Sequence, residues 1–361
     1  MYVLFACGGT DGHIYPALSV AHLLKSRFPT AEIAFVGTKR GMENTLVPAE
    51  GFSFFGLDTE GFLRSASPHN IVVFRKLLAA EKTMHRLFCD HRPDLVIGTG
   101  GYACFPVLVQ AHKEGIATAV HESNAVPGLA VRLLRHKVDR VWCGSRQAAE
   151  KLGRPPRVVH TGTPVRDDFL RWTKATARLK HRIGNDRFFV LSFGGSLGAS
   201  VINRTIREIF ESELPARIQW MHISGRGGAG MFESIRPTEA KRYLAFSSEM
   251  PSLMQAADLV ICRAGALTLT ELAYCGKPAI LIPSPNVTGH HQYHNAKERA
   301  DAGAAILMEE TALSAVRLLD EVVKIERDRT LVTEMQQAMR GFYLENAGET
   351  ILSEIRLLLS V

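Results

Sequence analysis

A single unit recurs along this chain: a short run rich in Val, Ile and Phe, then glycines, then a segment with the apolar spacing of a helix. Such units are typical of parallel strands joined by crossover helices. The runs with this pattern are Tyr2 to Ala6, Ile33 to Val36, Leu95 to Ile97, Phe188 to Phe193, Leu259 to Cys262 and Ala279 to Ile282. The sequence therefore predicts an α/β fold built on doubly wound parallel sheets.

A motif that occurs once in each half of the chain predicts two similar domains. Segments 8–10 (GGT) and 194–196 (GGS) each lie between a predicted strand and a helix, and 361 residues is a length typical of two domains. A Gly- and Pro-rich stretch, 153–164, separates them, and a break in the last helical stretch is predicted near Gly341 and Gly348. The predicted bounds are 1–163, 164–340 and a C-terminal helical segment 341–361 that could pack back on the N-terminal domain.

Composition excludes several classes of protein. With 46% hydrophobic and 22% charged residues, the chain has ample material for a core, so disorder is not expected. No run approaches the roughly 18 apolar residues of a membrane span, and we expect neither a span nor a secretory leader. Six scattered cysteines without a C-x-x-C pair disfavour a disulfide framework and structural zinc, and they fit a reducing cytoplasm.

Positive charge is concentrated in the first part of the chain. The net charge is +7, and residues 1–165 hold 19 Lys and Arg against 13 Asp and Glu. We find no aromatic-interleaved basic stretch, helix-turn-helix or zinc-finger pattern, so we expect no nucleic-acid partner. An anionic membrane surface or a phosphorylated substrate explains the charge. A cationic surface without a specific partner is the alternative.

The first glycine loop places backbone amides at a helix N-terminus, where phosphate or a developing negative charge is favoured. A tight strand-to-helix turn is the alternative. The spacing is neither G-x-G-x-x-G nor a P-loop, which disfavours a nicotinamide cofactor and excludes P-loop chemistry. His13, just after this loop, could accept a proton from a hydroxyl nucleophile, or could be a capping or packing histidine.

Two further strands of the first half end in polar or glycine clusters, at 98–101 and 121–124. Ligands of open parallel sheets bind beyond the carboxyl ends of the strands, so we expect these clusters to line one crevice. Glu122 and Asn124 could equally be ordinary turn residues.

In the second half, 194–199 is a predicted diphosphate cradle. Glu271 could accept both hydroxyls of a ribose, although its spacing from Thr268 also fits a capping box. The histidines at 290, 291 and 294 lack an H-E-x-x-H pattern, and no D-x-D motif occurs, so we predict no metal and no cofactor.

Seven segments, in order, carry a resemblance that spans nearly the whole chain. They are GGTDGHIYPA (8–17), GTGGYACFP (98–106), HESNAVPG (121–128), TPVR (163–166), GGSLGA (194–199), RAGALTLTEL (263–272) and HQYHNA (291–296). Together they resemble the MurG family of N-acetylglucosaminyltransferases, within glycosyltransferase family 28. The resemblance implies a GT-B fold, with two Rossmann-like domains facing a cleft, the first binding the acceptor and membrane and the second the nucleotide sugar.

By matched position, the resemblance implies catalytic roles for His13, Glu122 and Glu271, with His13 as the favoured base. It implies a UDP-N-acetylglucosamine site formed by Thr10, Asp11, Gly12, Asn124, Arg166, Ser196, Ser247, Ala266, Leu267, Thr268, Leu269, Thr270, Glu271 and Gln292. The positions that depart from the usual family pattern are Asp11, Ser123, Val131 and Thr163. A carboxylate at position 11 would repel a diphosphate unless it turned outward or bound the acceptor.

The implied reaction is an inverting, metal-independent transfer from UDP-N-acetylglucosamine to the 4-hydroxyl of lipid I, giving lipid II for peptidoglycan. The implied location is the cytoplasmic face of the inner membrane, held peripherally, with cell-wall synthesis proteins as possible partners. A predicted membrane patch comprises Ile71, Phe74, Arg75, Lys76 and Leu78, although an amphipathic helix packed on its sheet explains the same pattern. The rival functions are a diacylglycerol glycosyltransferase, a UDP-N-acetylglucosamine epimerase and an inactive binding protein.

Overall fold

The computed structural model describes residues 1–9, 11–61, 69–153 and 157–360, without the side chains of Asp11 and Thr288. The chain divides into two compact units. The first unit comprises Met1–Pro164 together with Leu344–Val361, and the second comprises Val165–Tyr343. The chain therefore leaves the first unit once and returns to it at the end.

Each unit is built on one sheet, and all neighbouring strands in the two sheets pair in parallel. The strands of the first sheet are β1 (Tyr2–Ala6), β2 (Glu32–Thr38), β3 (Ser53–Leu57), β4 (Leu95–Gly98), β5 (Ala117–Glu122), β6 (Arg140–Cys143) and β7 (Val158–His160), in the order β3-β2-β1-β4-β5-β6-β7. The strands of the second are β8 (Phe188–Phe193), β9 (Ile218–Ile223), β10 (Lys241–Leu244), β11 (Leu259–Cys262), β12 (Ala279–Leu281) and β13 (Ala305–Leu307), in the order β10-β9-β8-β11-β12-β13.

Helices connect the strands and cover both faces of each sheet. They are α1 (Asp11–Arg27), α2 (Glu43–Ala49), α3 (His69–Asp90), α4 (Cys104–Lys113), α5 (Leu129–Leu134), α6 (Arg146–Lys151), α7 (Asp167–Leu170), α8 (Lys174–Lys180), α9 (Ser200–Glu211), α10 (Met250–Ala256), α11 (Ala266–Cys275), α12 (His291–Asp301), α13 (Ala315–Arg327), α14 (Arg329–Arg340) and α15 (Ala347–Leu359). Short 3-10 helices lie at Arg226–Phe232, Thr288–His290 and Glu310–Ala312.

Alternate side chains of β1 point to opposite faces of the sheet and pack against different helices. Val3 and Phe5 pack in a cluster with α1 and α15, whereas Leu4 and Ala6 pack in a second cluster with α3 and α4. Strand β8 does the same in the second unit, where Val190 faces α9 and α13. Strands buried on both faces explain the continuous apolar runs in the sequence.

The predicted doubly wound parallel-sheet domains are confirmed. The predicted bounds of β1, β8 and β11 match the structure, and those of β2, β4 and β12 differ by at most two residues at either end. The break predicted near Gly341 and Gly348 is confirmed, because the helical stretch is interrupted at 341–346, between α14 and α15. Gly348 itself is the second residue of α15. A glycine in the first turn is tolerated because a helix begins there with few bonds to lose.

We expect Ile351→Ala to lower the unfolding free energy of the first unit by about 2–5 kcal/mol, because Ile351 is fully buried between α15 and the sheet. Leu357→Ala is the matched control, since Leu357 lies on the same helix and is 65% exposed, and it should cost no more than about 0.5 kcal/mol. Urea unfolding with hydrogen-exchange mass spectrometry measures both. Equal losses would contradict the docking of α15.

Candidate active site

In each sheet, the predicted loops lie where the crossover connections change direction along the sheet. Strand β1 is flanked by β2 and β4, and β8 by β9 and β11, so successive crossovers leave these first strands in opposite directions. A crevice forms at such a point, beyond the carboxyl ends of the strands, and ligands of doubly wound sheets bind there. The loops after β1 and β4 meet this description in the first unit, and those after β8 and β11 meet it in the second.

A buried carboxylate lies behind the first glycine loop. Glu43, fully buried at the start of α2, accepts a hydrogen bond from the Gly9 amide through Oε2 at 3.3 Å. Its Oε1 accepts from the amide and from the hydroxyl of Thr38, both at 2.7 Å. The Gly9 amide therefore faces a carboxylate, so this one amide is not available to the anion that the sequence predicts for the loop; anion binding by the loop's other amides stays a prediction. Thr10 lies outside the described residues.

His13 is the third residue of α1 and is held at both its backbone and its ring. Its Nδ1 lies 3.2 Å from the carbonyl oxygen of Gly8, and its own carbonyl accepts from the Thr99 hydroxyl at 2.6 Å. A carbonyl can only accept, so Nδ1 carries the proton and the lone pair of the neutral ring lies on Nε2. A Cβ at Gly100, where φ is +107°, would lie 2.6 Å from the His13 ring, so this close approach requires glycine.

Glu122 organises the loop that follows β5. Its Oε1 accepts from the backbone and side-chain amides of Asn124, both at 2.9 Å, and its Oε2 accepts from the Gly128 amide at 2.7 Å. Burial raises the pKa of Glu122, and these hydrogen bonds oppose the rise. The structure thus gives Glu122 and Asn124 the turn-forming role; a catalytic role for Glu122 and a sugar contact for Asn124 stay predictions.

In the second unit, two helices begin at neighbouring strand ends. Helix α9 follows β8 and α11 follows β11, and neither N-cap, Ala199 or Gly265, makes a side-chain cap hydrogen bond within the described residues. Uncapped amides at a helix start favour an anion. Ser196 and residues 266–270 lie at these two starts, as the sequence predicts.

A further glycine loop supports the α9 start, and the sequence analysis missed it. A Cβ at Gly225 would lie 2.2 Å from the Gly198 amide nitrogen, so the two loops pack backbone to backbone. The Arg226 amide donates to the Ser196 carbonyl at 3.2 Å. The available signal was the glycine-rich stretch after β9, 224–230, which reads SGRGGAG.

Glu271 is a buried carboxylate in the second turn of α11, 8% exposed. The helix begins at Ala266, so Thr268 is its third residue and not its cap, which excludes the capping-box alternative. Burial raises the pKa of Glu271 to about 7, and the Arg166 guanidinium opposes the rise. Arg166 Nε lies 3.8 Å from Glu271 Oε1. A carboxylate so desolvated gains from any hydroxyl that donates to it.

Two other predicted residues hold their loops in place. Ser247 Oγ accepts from the Glu249 amide at 3.1 Å, and Gln292 Oε1 accepts from the Ser284 amide at 2.9 Å. Asn295, which the sequence analysis missed, donates from Nδ2 to the Ala264 carbonyl at 3.1 Å and so ties α12 to the loop before α11. In the described ranges, no group of three or more His, Cys, Asp or Glu side chains is arranged to hold a metal ion.

Helix α3 has two apolar faces. Val73, Met84 and Phe88 are buried, whereas the first half of the helix exposes Ile71 (65%), Phe74 (52%) and Leu78 (50%). Amphipathic packing therefore explains only one of its faces. Arg75 is exposed beside the apolar face, but Lys76 Nζ pairs with Asp58 at 3.1 Å and Glu60 at 2.7 Å. Of the helices that the structure describes, none has the length and apolar character needed to cross a bilayer.

Comparison with known proteins gives matches to both units. Residues 3–143 match the glycosyltransferase family 28 N-terminal domain, and residues 189–350 match the family 28 C-terminal domain. A relative from Acetivibrio thermocellus is 38% identical over 361 residues, covering 99% of this chain and 98% of the relative. It is named UDP-N-acetylglucosamine--N-acetylmuramyl-(pentapeptide) pyrophosphoryl-undecaprenol N-acetylglucosamine transferase.

Solved structures share the fold. The crystal structure of Acinetobacter baumannii MurG matches with a TM-score of 0.78 and 27% identity, covering 99% of each chain. UDP-GlcNAc 2-epimerase from Neisseria meningitidis matches with a TM-score of 0.67 at 14% identity, over 98% of this chain and 99% of the epimerase. The second likeness concerns the fold alone, since one fold hosts several activities.

We expect Glu271→Gln to stabilise the unliganded protein increasingly as pH rises. The carboxyl has a folded pKa of about 7 against an ordinary value of 4.5, so it binds its proton more tightly when folded. Its contribution to stability is therefore present at low pH and lost as pH rises through about 4.5 to 7. Urea titrations at fixed pH should show the variant gaining at most about 3 kcal/mol across that window.

The variant Arg166→Met tests what sets the pKa of Glu271. Removing the guanidinium that opposes the shift should move the midpoint of this pH dependence upward. A stability difference between Glu271→Gln and the parent that stayed constant from pH 5 to pH 8 would contradict the desolvation of Glu271.

Proposed function

This chain belongs to glycosyltransferase family 28, and from that premise we propose that it transfers N-acetylglucosamine from UDP-N-acetylglucosamine to N-acetylmuramyl-(pentapeptide) pyrophosphoryl-undecaprenol. The product is lipid II, the lipid-linked disaccharide precursor of peptidoglycan. The observation that carries this proposal is 38% identity, over 99% of the chain, to a relative named for that reaction. The rival functions lack support of this kind.

We assign the donor to the second domain. The uncapped starts of α9 and α11 present backbone amides to the diphosphate, with Ser196 and Arg166 beside it. Glu271 takes the ribose hydroxyls, since it is buried and acts only as an acceptor when ionised. Ser247 marks the segment whose backbone amide binds uracil. The Ser284 amide donates to Oε1 of Gln292 and so orients the NH2 group of Gln292 as a donor to the sugar or diphosphate.

We assign the base to the first domain. The 4-hydroxyl oxygen of the acceptor attacks the anomeric carbon, the bond from that carbon to the diphosphate breaks, and UDP leaves with its electron pair. The hydroxyl proton passes to His13 Nε2, which the contact between Nδ1 and Gly8 leaves with its lone pair. The leaving diphosphate gains negative charge, so helix-end amides and Arg166 stabilise the transition state more than the ground state.

We assign membrane contact to the exposed apolar face of α3. Ile71, Phe74 and Leu78 are large side chains exposed beside Arg75, a composition that suits the interface of an anionic bilayer. Lys76 is already paired with Asp58 and Glu60 and contributes less charge than its sequence position suggests. This face would hold the enzyme peripherally on the cytoplasmic side of the inner membrane, where its lipid acceptor and cell-wall synthesis proteins lie.

We expect His13→Ala to lower kcat by about 10² to 10⁴-fold, because a positioned base contributes roughly that factor. UDP release and mass spectrometry of the β-1,4-linked product, with a short-chain lipid I analogue as acceptor, measure the effect. His22→Ala is the control: His22 lies on the same helix and pairs with Glu50 on the surface at 3.0 Å. A folded His13→Ala enzyme with near-normal kcat would exclude His13 as the base.

We expect the double variant Phe74→Ser, Leu78→Ser to bind anionic vesicles at least about 10-fold more weakly, since burying each side chain is worth about 1.5–3 kcal/mol. Leu357→Ser is the control, because Leu357 is 65% exposed on α15, away from this face. Vesicle sedimentation measures the partition. Equal binding by the two variants would remove α3 from the membrane interface.

A further inference from the structure

One peptide group connects Glu43 to His13. The amide of Gly9 donates to Glu43 Oε2 at 3.3 Å, and the carbonyl of Gly8, which belongs to the same peptide group, accepts from His13 Nδ1 at 3.2 Å. The Glu43 carboxylate, the Gly8–Gly9 peptide and the His13 imidazole are therefore hydrogen-bonded in that order. A fully buried carboxylate thus contacts the base candidate through a single planar group.

This geometry has an electrostatic consequence. Hydrogen bonds at the two ends of one peptide polarise each other, so a carboxylate at the N–H end makes the carbonyl oxygen a stronger acceptor. A stronger acceptor at Nδ1 holds the ring in one tautomer and favours the charged imidazolium over the neutral ring. In serine hydrolases a carboxylate acts on its histidine directly, whereas here a peptide lies between them.

We propose that Glu43 is a positioning residue for the transfer reaction: through the Gly8–Gly9 peptide it keeps the lone pair of His13 on Nε2 and stabilises the positive charge that His13 gains with the acceptor's proton. The proposal rests on the role of His13 as the base. It explains why a carboxylate is buried behind a glycine loop, where an anion would otherwise be expected.

Among the described residues, other titratable groups near this pair are Cys7 under the loop, and Tyr102 and Cys104 from the segment after β4. Burial raises the pKa of Cys7 well above its usual range and that of Cys104 to about 12, so both thiols stay neutral near pH 7. Tyr102 is unchanged in the variants below, so its effect cancels in the comparison.

The test is the titration of His13 in the unliganded protein, followed by NMR of the imidazole and assigned with His13→Gln. Glu43→Gln should lower the midpoint by roughly 0.5–1 pH unit, because a negative charge that favours imidazolium is removed. Thr38→Val is the matched control: it removes one hydrogen bond to Oε1 and keeps both the charge and the Gly9 contact. It should lower stability without lowering the midpoint.

The second readout is the pH dependence of kcat/KM with the short-chain acceptor. The acid limb of Glu43→Gln should move down in parallel with its imidazole midpoint. An unchanged midpoint in folded Glu43→Gln overturns the proposed link. A shifted midpoint with an unshifted acid limb overturns the base role of His13 and leaves the assignment of the family reaction untouched.

A measurement on the unmodified protein covers the case in which Glu43→Gln does not fold. Nitrogen chemical shifts of the neutral His13 ring report which nitrogen carries the proton. We expect the proton on Nδ1. A proton on Nε2 overturns the proposal, because the ring would then have no lone pair for the acceptor hydroxyl on that side.

Discussion

Hydrogen bonds from backbone amides to buried carboxylates fix the loops on which the first domain depends. Glu43 holds Gly9 and the end of β2, and Glu122 holds the turn from Asn124 to Gly128. Charge-assisted bonds of this kind are stronger than those between neutral groups, and an unmade one leaves a buried charge. Such bonds are the kind of contact that preorganises a transition-state site.

The second domain fixes its loops differently. Gly198 and Gly225 pack backbone to backbone, and the N-cap residues of α9 and α11, Ala199 and Gly265, make no side-chain cap hydrogen bond in the part of the chain that the structure describes. The N-cap residues of the second domain thus offer no side-chain acceptor to the helix-start amides, whereas the Gly9 amide of the first domain donates to Glu43. Two loops that look alike in sequence therefore differ at this one amide. This difference supports the donor diphosphate in the second domain and the neutral acceptor hydroxyl near His13.

Sequence patterns predicted the fold because parallel strands buried on both faces must be continuously apolar, as β1, β8 and β11 are. They located the glycine loops and the buried Glu271 for a related reason, since strand ends define the ligand edge. They could not find Glu43, because its contact with Gly9 spans 34 residues and no local signature accompanies it. The capping-box alternative for Glu271 also needed the structure, because one residue of uncertainty in a helix start decides it.

The return of the chain to its first unit has a consequence for biosynthesis. Helix α15 covers the face of the first sheet that contains Val3 and Phe5, and it is made after all of residues 165–343. The second domain is contiguous and can therefore fold on the ribosome while the first still exposes an apolar layer. Residues 1–164 are thus made before residues 165–343, but their unit can be completed only after those residues have been made. During translation, the layer that α15 will cover is where a chaperone would have the most to protect.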